Sequence, residues 1–256
     1  MLEALIFDVD GTLADTERDG HRVAFNQAFA EAGLDWNWDE NLYGKLLAVT
    51  GGKERMHYYV EAFRPDYVKP DNFDEIVPAL HAAKTRFYTE LLDQGDIPLR
   101  PGVRRLMQEA RAAGLRLAIA TTTTPANVSA LLRNTLGENA ESWFEVIGAG
   151  DIVPAKKPAP DIYTYVLQQM KLQPSQCMVF EDSRNGILAS LAAGLPTVIT
   201  VNGYTQNDDF TGAEIVLDQM GEPGSPATVL MGESLASECL DLDSIRALHE
   251  GSELAA

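Results

Sequence analysis

Leu5-Ile6-Phe7-Asp8-Val9-Asp10-Gly11-Thr12-Leu13 is the stretch from which the fold can be read. Leu5 to Phe7 is a short apolar run bounded by Gly11, the pattern of a buried strand. Asp8 and Asp10 follow at its end. Side chains alternate along a strand, so both carboxylates reach one site only if the chain bends there. Gly11 permits that bend because it tolerates positive φ. Two acids at the carboxyl end of a buried strand stand where open α/β sheets place ligands. Taken alone, Asp-x-Asp-Gly is also ordinary turn punctuation, so the reading depends on what the rest of the chain supplies.

The chain has 256 residues, 45% hydrophobic and 23% charged, enough for one large domain or two unequal ones. Its 38 acids against 20 bases give a formal net charge of -18. That field repels nucleic acid and anionic membranes. It also repels an anionic substrate, so an anion site needs local cations. The two cysteines, Cys177 and Cys239, suggest neither a disulfide framework nor a CxxC site; Cys177, in an apolar run, reads as a buried thiol. No signal peptide and no membrane-spanning apolar run is read. A cytoplasmic enzyme is expected, or one of the plastid stroma if the chain is processed.

Working outward, His21, Val23, Ala24, Phe25, Ala28, Phe29 and Ala32 recur at helical spacing before Gly33. Residues 48–55 form a loop running into a second helix, and Phe73 to Leu92 is a third helical pattern. No convincing strand lies between Asp15 and Gln94. After residue 95 helix and strand alternate. Strands are expected near residues 115–120, 144–147, 177–180, 196–201 and 214–217. Helices open at Pro101-Gly102, Pro125, Pro160 and Ile187. The tail from Gly221 reads as loop, followed by a short amphipathic helix at 240–248. This alternation predicts a doubly wound, mostly parallel Rossmann-like α/β sheet. The expected division is a core of residues 1–15 and 96–256 with an all-helical cap, 16–95, inserted after the first strand.

Parallel strands bring Asp8, Asp10, Thr121, Glu181 and Asp182 to one edge, with Lys157 in a loop before a helix. Clustered carboxylates repel one another unless a positive charge sits among them. An oxygen donor set favours a hard cation, and Mg²⁺ takes one or two carboxylates plus waters and phosphate oxygens. Asp8 and Asp182 fit as ligands, with Lys157 as a second positive charge. The Thr121 hydroxyl and nearby backbone N–H groups can hold a phosphate. A carboxylate can attack phosphorus, and a second acid can protonate the leaving oxygen and later activate water. Asp8 suits the first role and Asp10 the second. In the helical insert, Gly51-Gly52 at a helix N-terminus, Lys53 and Arg55 offer a grip for a second phosphate. Each element has an ordinary reading: a lysine before proline in an exposed turn, or Glu181-Asp182-Ser183 as a helix cap. Their shared place at strand ends favours the chemical reading.

Phe7 to Leu13, Thr121, Lys157-Pro158-Ala159-Pro160-Asp161 and Glu181-Asp182-Ser183 resemble, in order, the four motifs of the haloacid dehalogenase superfamily. The resemblance implies Asp8 as nucleophile, Asp10 as acid/base, Thr121 and Lys157 on the transferring phosphoryl group, and metal ligation at Asp8, Asp10, Glu181 and Asp182. His21 to Asn26, Thr50 to Arg55 and Ala155 to Pro158 narrow it to the CbbY branch, phosphatases of the Rubisco inhibitor xylulose-1,5-bisphosphate in the Calvin cycle. On that resemblance Glu17, His21, Thr50, Gly51, Gly52, Lys53, Arg55 and Thr122 contact substrate. The chain departs from the branch by an extra residue around Asp19-Gly20 and a longer tail. The expectation is a Mg²⁺-dependent sugar-phosphate phosphatase, monomeric, binding neither nucleic acid nor membrane. The alternatives are a β-phosphoglucomutase-like mutase and a catalytically silent binding protein on the same fold.

Overall fold

Phe7 and Phe180 stack with ring centroids 4.6 Å apart, and their strands are neighbours at the centre of the sheet. The computed structural model describes residues 1–95 and 97–255; Asp96, the first residue of the expected second core segment, lies outside the described residues. The strands are β1 (Ala4–Phe7), β2 (Arg116–Ala120), β3 (Val146–Gly148), β4 (Cys177–Glu181), β5 (Thr197–Thr200), β6 (Ile215–Leu217) and β7 (Val229–Met231). The helices are α1 (Arg22–Glu31), α2 (Glu40–Leu46), α3 (Gly52–Phe63), α4 (Phe73–Asp93), α5 (Val103–Ala112), α6 (Pro125–Leu136), α7 (Asp161–Met170), α8 (Arg184–Ala192) and α9 (Leu242–Ala255).

The strand order is β3-β2-β1-β4-β5-β6-β7. Strands β1 to β6 are parallel, and β7 runs antiparallel to β6. The chain winds outward from β1 in both directions, which opens a crevice at the carboxyl ends of β1, β2 and β4. Alternation along β1 sends Leu5 and Phe7 into one layer with Leu106, Met107, Leu131 and Ile245. It sends Ala4 and Ile6 into the opposite layer with Ile162, Tyr163 and Val166 of α7. The doubly wound sheet read from the sequence is therefore present. Cys177 is buried on β4, and burial pushes its thiol up to about 12.

Helices α1 to α4 form the insert between β1 and α5, and no strand is described between Asp15 and Gln94. They enclose their own aromatic cluster, with Phe25, Phe29, Trp36, Trp38, Tyr43 and Tyr59 buried together. Arg100, just past the insert, is buried and fastens the hinge to the core. Its guanidinium donates to the carbonyls of Gly11, Thr200 (3.0 Å), Val201 (2.5 Å) and Asp218 (2.7 Å).

The structure differs from the expected elements in three places. Helix α2 is absent from the sequence reading. Gly44 lies in its middle and masks the helical pattern, although Asp39 caps it by accepting from Leu42 N at 2.7 Å. The tail taken as loop contributes strand β7, and the helix after it extends to Ala255. Residues Glu17–His21 form a π-turn, with Arg22 N donating to Glu17 O. That turn is wider than an α-helical one and covers Asp19-Gly20, where the sequence departs from the resemblance. Gly20 sits where no side chain fits, since a Cβ there would stand 2.8 Å from both Ile97 and Tyr88.

Candidate active site

Asp8, just past β1, and Glu181, the last residue of β4, continue the faces of Ile6 and Val179 on two hydrogen-bonded strands, so their side chains arrive side by side on the α7 layer. Lys157 joins them. Its Nζ lies 2.7 Å from Asp8 Oδ1, 2.5 Å from Glu181 Oε1 and 2.9 Å from the Ala120 carbonyl. Tyr163 of α7 donates to the same Glu181 oxygen at 2.5 Å. Asp182 turns the other way, over Gly11. The φ of Gly11 is +85°, and a Cβ there would fall 2.2 Å from Asp182 Oδ2. Asn202 Nδ2 donates to that same oxygen at 2.6 Å. Glycine is thus required beside the catalytic loop for two reasons, conformation and contact.

Asp8, Glu181 and Asp182 are all buried and offer oxygen atoms within 4.8 Å of one another. Burial raises the carboxyl of Asp8, and Glu181 and Asp10 add to the rise against the opposing Lys157, so that it is pushed up to about 8. Asp182 is held well above the usual range by burial and by Asp8 and Glu181. Burial disfavours the ammonium of Lys157, but Asp8 and Glu181 overcome that and raise it. One lysine cannot support the ionisation of three carboxyl groups, as the raised Asp8 and Asp182 show, and every donor here is a hard oxygen. That donor set suits a divalent cation such as Mg²⁺.

Asp10, expected among the ligands, is not part of this cluster. Its Oδ1 accepts from Thr16 Oγ1 at 2.6 Å and lies 2.7 Å from His21 Nε2. Both partners follow the hinge, so the insert reaches back to hold this carboxylate. Burial alone would raise Asp10, but His21, Thr16 and Lys84 together hold it below the usual carboxylate range. Lys84 of α4 is itself buried, 2.8 Å from His21 Nδ1, with Phe25 and Tyr88 rings under its ammonium. Burial pushes it down to about 8, although Asp10 and Glu17 favour its charge.

These groups open into a cavity of about 360 Å³ between the insert and the sheet edge, lined also by Thr50, Thr121, Thr122, Asn185 and Tyr204. Thr121 follows β2 with its N–H on the Gly148 carbonyl and its Oγ1 accepting from Thr123 N at 3.3 Å. Thr50 Oγ1 accepts from Asn185 Nδ2 at 3.0 Å, a contact from the insert to the core. Ser183 does cap α8, accepting from Gly186 N. The helix-cap reading therefore holds for Ser183 but not for the two acids before it.

At the far end, Arg55 is buried and bonded by Nη1 to Tyr43 Oη at 2.8 Å, and Tyr43 in turn donates to Glu17 Oε2 at 2.5 Å. Arg55 Nε is buried without a hydrogen-bond partner. A smaller recess adjoins the cavity here, between the N-termini of α3 and α6, lined by Gly51, Gly52, Arg55, Lys84, Thr124 and Asn127. The φ of Gly51 is +97°, and Gly52 packs so closely on His81 that a Cβ would fall 2.7 Å away.

Lys53 is not where the sequence reading places it. Its ammonium is 2.5 Å from Asp151 on the loop after β3, outside the cavity lining. The physical reason is a rim network: Asp151 also meets Lys156 at 3.0 Å, and Lys156 meets Glu54 at 2.8 Å. Arg18 is likewise on the surface, paired with Asp19 at 2.9 Å. The residues missed in the sequence are Thr16, Tyr43, Lys84, Tyr163, Asn202 and Tyr204. None of them is marked by its local sequence.

Residues 2–194 match the model of the haloacid dehalogenase-like hydrolases. The chain is 48% identical to the CbbY protein of Cupriavidus necator over 255 residues, covering all of both chains. It is 51% identical to CbbY of Rhodobacter capsulatus, over 83% of this chain and 91% of that one. A crystal structure of CbbY from Rhodobacter sphaeroides in complex with xylulose-1,5-bisphosphate superimposes with a TM-score of 0.80 at 44% identity, covering 88% of this chain and 97% of that one. A β-phosphoglucomutase from Clostridium difficile shares the fold, with a TM-score of 0.76 at 19% identity over 99% and 100% of the two chains. The chain belongs to the haloacid dehalogenase-like hydrolases and, within them, to the CbbY branch. It is accordingly an enzyme, a phosphatase. No helix among the described residues is long and apolar enough to cross a membrane.

Proposed function

We propose that this chain is a Mg²⁺-dependent phosphatase of a sugar bisphosphate, xylulose-1,5-bisphosphate, working through an aspartyl-phosphate, and that residues 16–95 act as its substrate-selecting cap. The observation that carries this reading is the two-ended cavity. One end holds Asp8, Thr121 and Lys157, and the other holds the cation of Arg55. A sugar with a phosphate at each end satisfies both. The complex of a mutant of the Rhodobacter sphaeroides relative with xylulose-1,5-bisphosphate supports the same substrate.

Lys157 occupies Asp8 Oδ1, which leaves Oδ2, touched only by Thr12 Oγ1 at 3.4 Å, as the attacking oxygen. Oδ2 bonds to phosphorus as the bond from phosphorus to the sugar oxygen breaks. Thr121 holds a phosphoryl oxygen through the transfer, and Lys157, whose three N–H groups are taken by Asp8, Glu181 and the Ala120 carbonyl, contributes its charge. Asp10 is a carboxylate in the free protein; the charge of an arriving phosphate raises it, so that it carries the proton needed by the leaving oxygen. It then takes a proton from the water that hydrolyses the aspartyl-phosphate. Asp8 and Asp182 would hold the cation, which supplies neutralisation of the phosphoryl charge when bound. Glu181 serves instead to seat Lys157, since one of its oxygens is taken by Lys157 and Tyr163.

The distal phosphate is held by Arg55 at the mouth of the recess, where two helix N-termini also favour an anion. A phosphate-release screen over sugar mono- and bisphosphates, with Mg²⁺ and with chelator, tests this reading. Release from xylulose-1,5-bisphosphate well above all monophosphates is expected. Transfer of the phosphoryl group to a second sugar, with no free phosphate, would favour a mutase instead.

A further inference from the structure

We propose that Tyr43 is a positioning residue for Arg55, and that Tyr204 of the core seats it when the insert closes on the sheet. This rests on the bisphosphate reading above, because it concerns the residue that grips the distal phosphate.

Tyr43 is fully buried on α2. Its hydroxyl is used in both directions, accepting from Arg55 Nη1 at 2.8 Å and donating to Glu17 Oε2 at 2.5 Å. Its ring centre lies 5.1 Å from Arg55 Cζ. The direct approach of Arg55 to Glu17 is only 3.7 Å, so the hydroxyl is the group that makes hydrogen bonds to both. A guanidinium is a rigid fork. Fixing one Nη on Tyr43 therefore sets the direction of the other donors of the guanidinium.

Tyr43 is in turn contacted from the core. The loop after β5 carries Asn202 and Tyr204, and Asn202 Oδ1 accepts from Tyr204 N at 2.9 Å in a local turn. Asn202 Nδ2 is the donor to Asp182 at 2.6 Å. The ring of Tyr204 meets that of Tyr43 edge-on, with centroids 6.0 Å apart. It enters the insert through a notch at Gly44: a Cβ at that position would stand 3.1 Å from Tyr204 Cδ1. The contacts thus run from the carboxylate cluster to the distal phosphate grip through Asn202, Tyr204 and Tyr43. With the insert swung away, Tyr204 no longer backs Tyr43, and Arg55 loses its fixed direction. Glycine at position 44 is explained by the same contact, since α2 gains nothing from it as a helix.

Steady-state kinetics with xylulose-1,5-bisphosphate and with p-nitrophenyl phosphate provide the test, on Tyr43→Phe, Tyr204→Ala, Gly44→Ala and Arg55→Ala. Tyr43→Phe keeps the ring and removes only the hydroxyl. It is expected to raise KM for the bisphosphate about tenfold, the effect of one hydrogen bond to a charged group. It should leave kcat, and kcat/KM for p-nitrophenyl phosphate, within about twofold. Tyr204→Ala and Gly44→Ala are expected to show the same selective rise. Adding Tyr43→Phe to Arg55→Ala should change nothing further, because the two act through one contact. If Arg55→Ala is selective for the bisphosphate and Tyr43→Phe is not, the inference is overturned while the substrate reading stands. Equal losses on both substrates in Tyr43→Phe would make it a structural residue and overturn the inference as well. If Arg55→Ala itself lacks selectivity, the substrate reading fails, and the inference goes with it.

Discussion

Lys84 Nζ donates to His21 Nδ1 across 2.8 Å, although the two residues are 63 positions apart. An ammonium has no lone pair to offer, so His21 Nδ1 must accept, and its proton resides on Nε2. That proton points at Asp10 Oδ1, 2.7 Å away. A lysine with no place in the cavity's chemistry thereby decides the tautomer of the histidine that holds Asp10.

Lys84→Met is expected to lower turnover at least tenfold while making the folded protein more stable. Burial holds the folded-state pKa of Lys84 near 8 against 10.5 for the free side chain. The penalty of burying the ammonium is full below pH 8 and vanishes as pH rises past the unfolded value. At about 1.4 kcal/mol per unit it reaches roughly 3 kcal/mol. Lost bonding to His21 and the two rings offsets about 1–2 of that. Urea unfolding at pH 7 should therefore show a gain of about 1–2 kcal/mol, and the gain should shrink as pH rises from about 8 towards 10.5. A destabilised variant would contradict this.

Mg²⁺ should raise the melting temperature more at pH 8 than at pH 5. In the metal-free protein Asp8 titrates near 8 when folded and near 3.8 when unfolded. A carboxyl raised in this way contributes stability below the unfolded value, and that contribution is lost as pH rises towards 8. A cation binds the ionised carboxylates and restores what repulsion removes. Thermal unfolding with excess Mg²⁺ and with chelator, at both pH values, measures the difference. In Asp182→Ala the shift should disappear, and an undiminished shift would remove Asp182 from the cation site.

Asp8→Asn should reduce turnover by more than about a thousandfold, since each ~1.4 kcal/mol of barrier is tenfold in rate and an amide is a poor nucleophile. The fold should persist, because an amide oxygen still accepts from Lys157. Asp10→Asn should instead leave a slow enzyme with a changed pH–rate profile. Near wild-type activity in the first variant, or an unaltered profile in the second, would break the proposed division of roles.

Arg55→Ala should lower kcat/KM for xylulose-1,5-bisphosphate by about 30-fold or more, as expected for charge-assisted bonds to a phosphate. p-Nitrophenyl phosphate, with no second phosphate, should lose about threefold at most. Lys53→Ala gives the contrast, because its ammonium is engaged by Asp151 at the rim. A small effect on both substrates is expected there, typical of an exposed ion pair.

The sheet was legible because its strands are short apolar runs, each ended by a glycine, a proline or a polar turn, and their carboxyl ends carry the acids. Asp8, Lys157 and Asp182 stand out locally, and parallel topology alone brings them together. Tyr43, Lys84 and Tyr204 do not stand out. Each looks like an ordinary helix or loop residue, and each acquires meaning only from a partner that tertiary packing supplies. Lys53 was misplaced for the converse reason. A lysine after two glycines looks like an anion grip until the loop carrying Asp151 is brought beside it. Strand β7 escapes the sequence reading because it follows a stretch rich in glycine and proline, and helix α2 because a central glycine weakens its periodicity.

The π-turn at Glu17–His21 has a consequence for what so short a stretch can present. The widened ladder spreads five residues over one turn, and Gly20 lets it press against Tyr88 and Ile97. Glu17 reaches Tyr43 from one end of the turn, and His21 reaches Asp10 from the other. One turn of chain therefore serves both sides of the cavity, and a change that tightened it to ordinary helical spacing would move one of these contacts relative to the other.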